Sequence, residues 1–161
     1  MKCSFAKFIT ELFFVSEIHF YLFSQGCSDD LYGDSGEFSS PGYPDTPYPN
    51  SAYCMWRIKV SRHMKVQVTF EDFDLEEHCD RDQVKVYDGY YTTSSAIPVI
   101  GAYCSRRPRF TVESSSNIIT VLFRSDLIRR RPGFKASYKA VSGGWFNIFL
   151  MLIFSLFQVK K

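Results

Sequence analysis

Four cysteines, Cys27, Cys54, Cys79 and Cys104, stand at nearly even intervals through the polar middle of the chain. An even set spread in this way is the mark of a disulfide framework, and such frameworks persist outside the reducing cytosol. No pair forms the short CxxC knuckle by which two thiolates reach one zinc ion, and His78 beside Cys79 is the only close His and Cys pair. Four cysteines permit three connectivities, and spacing alone does not choose among them. A fifth, Cys3, lies in the apolar N-terminal segment.

Between Cys27 and Ala140 the polar pattern has a period of two. Met64 to Glu71 places Val66, Val68 and Phe70 on one face and Lys65, Gln67, Thr69 and Glu71 on the other, as a half-buried strand requires. Trp56 to Val60, Gln83 to Asp88 and Phe134 to Lys139 alternate in the same way, whereas Ile118 to Phe123 is continuously apolar and suits a central strand. Pro41-Gly42, Pro47 to Asn50, Asp88-Gly89 and Arg131-Pro132-Gly133 mark turns between them. Short strands with frequent turns predict an all-β sandwich or barrel, and 161 residues leave room for one such domain. The net charge of +2 gives no long-range field suited to nucleic acid, so any charged partner site must be local.

The ends differ from the middle. Residues 1–26 open with Met1-Lys2, pass through a Phe-rich stretch interrupted by Glu11, Glu17 and His19, and reach the small residues Ser24 and Gly26, an outline like that of a signal peptide. Residues 145–159 are apolar and are followed by Lys160-Lys161. As a helix they would reach about 22 Å at 1.5 Å per residue, against a hydrocarbon core of roughly 30 Å. We expect residues 142–161 to be either a short membrane tether or a non-native extension, and residues 27–141 to form the domain.

Over that domain an ordered series of motifs resembles the CUB domain family. The series runs through Gly36 to Pro44 with Tyr48-Pro49, Cys54-Met55-Trp56-Arg57-Ile58, Phe73-Asp74-Leu75-Glu76, Cys79, Asp82 and Val86-Tyr87-Asp88-Gly89. Tyr103-Cys104, Val121 to Asp126 and Pro132 to Tyr138 complete it. The resemblance implies a jelly-roll sandwich of two antiparallel sheets and the pairings Cys27 with Cys54 and Cys79 with Cys104. Each bridge would contribute roughly 3 kcal/mol by closing a loop of about 25 residues.

Calcium-binding members of the family are similar at four positions, here Tyr48, Glu76, Asp82 and Asp126. The resemblance implies that the three carboxylates hold the ion while the Tyr48 hydroxyl steadies Glu76. The chemistry is sound, because calcium takes six to eight oxygen ligands and three clustered carboxylates need a cation to offset their repulsion. The segment from Glu76 to Cys79 is short and Arg81 replaces the usual aromatic, so Asp74, Glu77 and Asp80 stand as competing ligands. In calcium-binding relatives the ordered loops capture a Lys or Arg of a protein partner, which would here meet Glu76 and Asp126.

Arg129, Arg130 and Arg131, with Arg124, Arg106, Arg107 and Arg109, offer a second kind of contact, a patch for a sulfated glycan or another anionic surface. Gly33-Asp34-Ser35-Gly36 is like the nucleophile motif of trypsin-like proteases, but His19, His63 and His78 have no catalytic context, so no enzymatic activity is expected. Trp56 starts an alternating strand and is expected in the core. No Asn-x-Ser/Thr triplet occurs. The sequence therefore predicts an extracellular, non-catalytic binding module that uses calcium to hold a protein ligand. The alternatives are a calcium-independent glycan binder and one piece of a larger secreted protease or receptor.

Overall fold

The computed structural model describes residues 27–94 and 96–143. The signal-like segment 1–26 and the apolar stretch 145–159 lie outside the described residues.

Among the described residues ten strands form: β1 Asp29–Tyr32, β2 Ser35–Ser39, β3 Tyr53–Lys59, β4 Met64–Asp74, β5 Gln83–Tyr87, β6 Val99–Tyr103, β7 Arg106–Arg107, β8 Phe110–Glu113, β9 Ile118–Arg124 and β10 Gly133–Ser142. One sheet has the order β1-β3-β9-β5-β6, and the other has the order β2-β10-β4-β7 with β8 also on β4. Every pairing is antiparallel except β1 with β3. This is the expected all-β sandwich of two sheets, and among the described residues no helix forms.

Burial follows the alternation read from the sequence. Val66, Val68 and Phe70 of β4, Trp56 and Ile58 of β3, Val84 and Val86 of β5, and Phe134, Ala136 and Tyr138 of β10 all face the space between the sheets. β9, flanked by β3 and β5, is the central strand that its apolar run predicted. Phe134 sits at the middle of the core, with the rings of Phe38, Trp56, Phe70, Phe73 and Phe123 all within 6.2 Å between centroids.

The alternation of β4 breaks where Lys135 pairs with Asp72 but Ala136 pairs with Phe70, so Glu71 is the extra residue of a bulge. Without it Asp72 would follow Phe70 into the core. With it, Phe73 and Leu75 point inward and Asp72 stays outside, where it accepts a hydrogen bond from Tyr43 Oη at 2.5 Å.

The Gly33 to Gly36 motif forms the turn into β2. Gly33 has φ of 120°, a conformation open to glycine, and Asp34 accepts hydrogen bonds from the Ser61 backbone N–H at 2.8 Å and the Ser61 hydroxyl at 2.9 Å. These bonds, the backbone one first, hold the Asp34 carboxyl below its ordinary 3.8. Its stabilising contribution is therefore present above pH 3.8 and fades as pH falls through the lower folded-state value. An NMR titration is expected to give Asp34 a midpoint below 3.8 that rises only part-way in Ser61→Ala, since that variant keeps the backbone donor. Full reversion would assign the effect to the hydroxyl.

Disulfides join Cys27 to Cys54 and Cys79 to Cys104, the pairing the resemblance implied. The first ties the start of the domain to β3. The second fastens the loop between β4 and β5 to the residue after β6, next to the site described below.

Candidate metal centre

Three carboxylates meet at one end of the sandwich. Glu76 follows β4, Asp82 immediately precedes β5, and Asp126 lies just beyond β9. The register explains why two of them are neighbours: Gln83 pairs with Arg124, so the residues before β5 and after β9 leave the sheet side by side. Glu76 comes from the opposite sheet, and the Cys79–Cys104 disulfide holds its loop across the end of the core. One carboxylate oxygen from each residue lies within 4.8 Å of the others.

These acids are not ordinary surface groups. Asp82 is fully buried and Glu76 nearly so, while Asp126 is half-buried. Asp82 Oδ1 accepts the Asp126 backbone N–H at 2.8 Å, and Asp82 Oδ2 accepts the Tyr48 hydroxyl at 2.5 Å. Asp126 Oδ1 accepts the Ile128 N–H at 2.8 Å, shaping its own loop. Burial, reinforced by the charges of Asp126 and Glu76, raises the Asp82 carboxyl above its ordinary value against these two hydrogen bonds. Burial also pushes the Tyr48 phenol far up, with its bond to Asp82 as the next cause, so it remains a donor at every accessible pH.

Tyr48 holds a different partner from the one expected. Its hydroxyl donates to Asp82, and toward Glu76 it accepts only the backbone N–H, at 3.3 Å. The reason is its route: the ring stands wholly within the core, edge-on to Phe123 at 5.1 Å, and its hydroxyl emerges beneath the start of β5. The Glu76 side chain instead turns toward cations, with Oε1 3.2 Å from Arg81 and 3.9 Å from Arg129. Its Oε2 is buried with no hydrogen-bond partner.

The competing acids fall outside this cluster. Asp74 faces Arg131 at 3.6 Å, the Asp80 carbonyl accepts from Arg124 at 2.9 Å, and Glu77 lines an adjoining cavity with Glu76, His78, Arg129, Arg130 and Arg131. Arg124, Arg129 and Arg131 thus have partners other than Asp126. Of the other arginines in that group, Arg109 pairs with Glu71 at 2.7 Å and Arg107 donates to the Cys104 carbonyl at 3.1 Å. Trp56 is core, packed on Phe38 and Phe134. What the sequence reading missed is that Arg81 and Arg129 reach Glu76, although the spacing of Glu76 and Arg81 around a tight loop was visible.

As a donor set, three carboxylates with one buried oxygen lacking any partner fit a hard divalent cation of the calcium type. The set includes no thiolate or imidazole, so it is unlike a zinc site.

The CUB domain family model matches residues 27–138. Rat cubilin (Rattus norvegicus) is 38% identical over 127 residues, which cover 76% of this chain but 3% of cubilin. The mouse CUB and zona pellucida-like domain-containing protein 1 (Mus musculus) is 39% identical over 132 residues, 77% of this chain and 21% of that protein. The chain thus spans only a small part of either relative. Among solved structures, the MASP-1 CUB2 domain bound to Ca2+ superposes with a TM-score of 0.61 at 32% identity, covering 71% of this chain and all of that one. With the sandwich, both disulfides and the family match extending over more than half its length, the chain belongs to the CUB domain family.

Proposed function

We propose that this chain is an extracellular, non-catalytic binding module whose carboxylate-lined loop end takes calcium and, with it in place, holds a protein ligand. The observation that carries this reading is the convergence of Glu76, Asp82 and Asp126 with the buried, unpartnered Oε2 of Glu76. A calcium-bound relative of similar fold supports it.

Glu76, Asp82 and Asp126 would hold the ion. Calcium supplies the positive charge that lets three crowded carboxylates stay ionised together. Tyr48 fixes Asp82 from below, and the Asp126 N–H fixes its other oxygen. Asp126 also orders its own turn through Ile128, so the loops that present the site are shaped by its own residues. Asp126, the half-buried member of the set, suits a Lys or Arg of a protein ligand.

Isothermal titration of calcium into chelator-stripped full chain tests this. One ion per chain is expected, with binding abolished in Glu76→Gln and weakened at least tenfold in Asp126→Asn. No heat at millimolar calcium, or equal binding by wild type and Glu76→Gln, would sink the proposal.

A further inference from the structure

The outer face of the sheet β1-β3-β9-β5-β6 is chemically unlike the outer face of its partner sheet. Tyr53, Met55, Arg57 and Lys59 alternate outward from β3 with the buried Cys54, Trp56 and Ile58. Arg124, Leu122 and Thr120 of β9 lie opposite Tyr53, Met55 and Arg57. Lys85 of β5 lies beside Leu122, and Tyr32 of β1 beside Lys59.

The segment after β5 folds back over this face. Thr120 Oγ1 donates to the Gly89 carbonyl at 2.7 Å and accepts the Tyr91 N–H at 3.1 Å. The Tyr91 ring stacks on Tyr87 at 4.2 Å, and the Arg57 guanidinium lies 5.1 Å from the Tyr90 ring centre. Tyr32, Tyr53 and Tyr90 remain exposed, at 72%, 51% and 49%.

Charge separates the two faces. On the partner sheet, Lys135 pairs with Glu37 at 2.9 Å and Arg109 with Glu71 at 2.7 Å. On this sheet Arg57, Lys59, Lys85 and Arg124 meet a single outward acid, Asp30, which Arg57 takes at 2.9 Å. Among the described residues Lys59, Lys85 and Arg124 form no ion pair with a carboxylate.

We propose that this tyrosine-studded, basic sheet face is a docking surface for an anionic polysaccharide of the sulfated-glycan class, separate from the carboxylate loop end and independent of calcium. Exposed tyrosine rings offer flat apolar faces to the C–H sides of sugar rings, with a hydroxyl at the rim for hydrogen bonding. Lys59 and Lys85 offer charge to sulfate or carboxylate groups. Tyr53 and Lys59, at opposite ends of β3, are about 20 Å apart at roughly 3.3 Å per residue, a length that fits an extended chain. A second copy of the chain does not suit the face, because it would oppose like charges. Nor does the face offer the apolar pocket that anchors a protein partner, since Leu122 and Tyr87 are already buried.

The test is fluorescence anisotropy of a labelled heparin octasaccharide with the full chain, in chelator and at low salt. Expected is binding that weakens steeply with salt. Its Kd should rise at least tenfold in Lys59→Glu with Lys85→Glu and at least threefold in Tyr53→Ala with Tyr90→Ala. It should stay within twofold when Arg129, Arg130 and Arg131 are all changed to Ala. Absent binding, or loss confined to the arginine triple variant, overturns the proposal. A polyglutamate peptide bound equally well, with no dependence on Tyr53 and Tyr90, would reassign the face to acidic protein segments and likewise overturn it. Acetylation footprinting of the wild type covers the case of a variant that misfolds: the octasaccharide should protect Lys59 and Lys85 but not Lys135 or Lys139, and no protection counts against the sheet face.

Discussion

Phe134→Ala is expected to destabilise the domain by about 4 kcal/mol, the range for removing a fully buried phenylalanine side chain. Phe134 has no exposed surface, and its ring meets five others contributed by β2, β3, β4 and β9. Because those neighbours belong to both sheets, the sandwich cannot close over the gap without moving the sheets together, so the cavity persists. Phe110→Ala provides the comparison. Phe110 is only partly buried at the side of the core, and its loss should cost about half as much, since part of the gap opens to water. Urea unfolding of the two variants measures both. Equal losses, or a loss under about 2 kcal/mol for Phe134→Ala, would show that the core is not keyed on this ring.

Tyr48→Phe is expected to cost about 3 kcal/mol in chelated protein, although it removes a single oxygen. That oxygen is both the donor to Asp82 Oδ2 and the acceptor of the Glu76 N–H. Asp82 is fully buried, so water does not replace the lost donor and its carboxylate is left with the Asp126 N–H alone. The same change should weaken calcium binding by about tenfold, because a ligand loses the group that orients it. Urea unfolding in chelator and calcium titration read the two effects separately. A stability loss with unchanged calcium affinity would make Tyr48 a packing residue and remove it from the site.

The architecture was legible where side chains repeat along a strand. The phase of Val66, Val68 and Phe70, the apolar run of β9 and the alternation around Phe134 needed nothing beyond their own spacing, because a strand that buries one face must alternate. Strands β1, β2, β6, β7 and β8 were not legible. They are short edge or near-edge segments, such as Arg106–Arg107, that exist because a long neighbour offers them backbone partners. The bulge at Glu71 was hidden for a related reason: local sequence does not say which of two acids the partner strand will skip.

At the candidate site, residue order alone brought Glu76, Asp82 and Asp126 to attention through the family resemblance. Their burial, the grip of Tyr48 on Asp82 and the reach of Arg81 and Arg129 to Glu76 emerged only on folding. The sequence by itself determined an all-β domain with four cysteines for a disulfide framework, since these follow from local periodicity and cysteine spacing, while the family resemblance supplied the sandwich, the pairing and the three candidate carboxylates. Only the tertiary structure decided which acid each neighbour serves and which sheet face gathers exposed tyrosines beside the lysines Lys59 and Lys85. Those outcomes depend on strand register and on loops crossing between sheets, and register joins residues that lie dozens of positions apart in the chain.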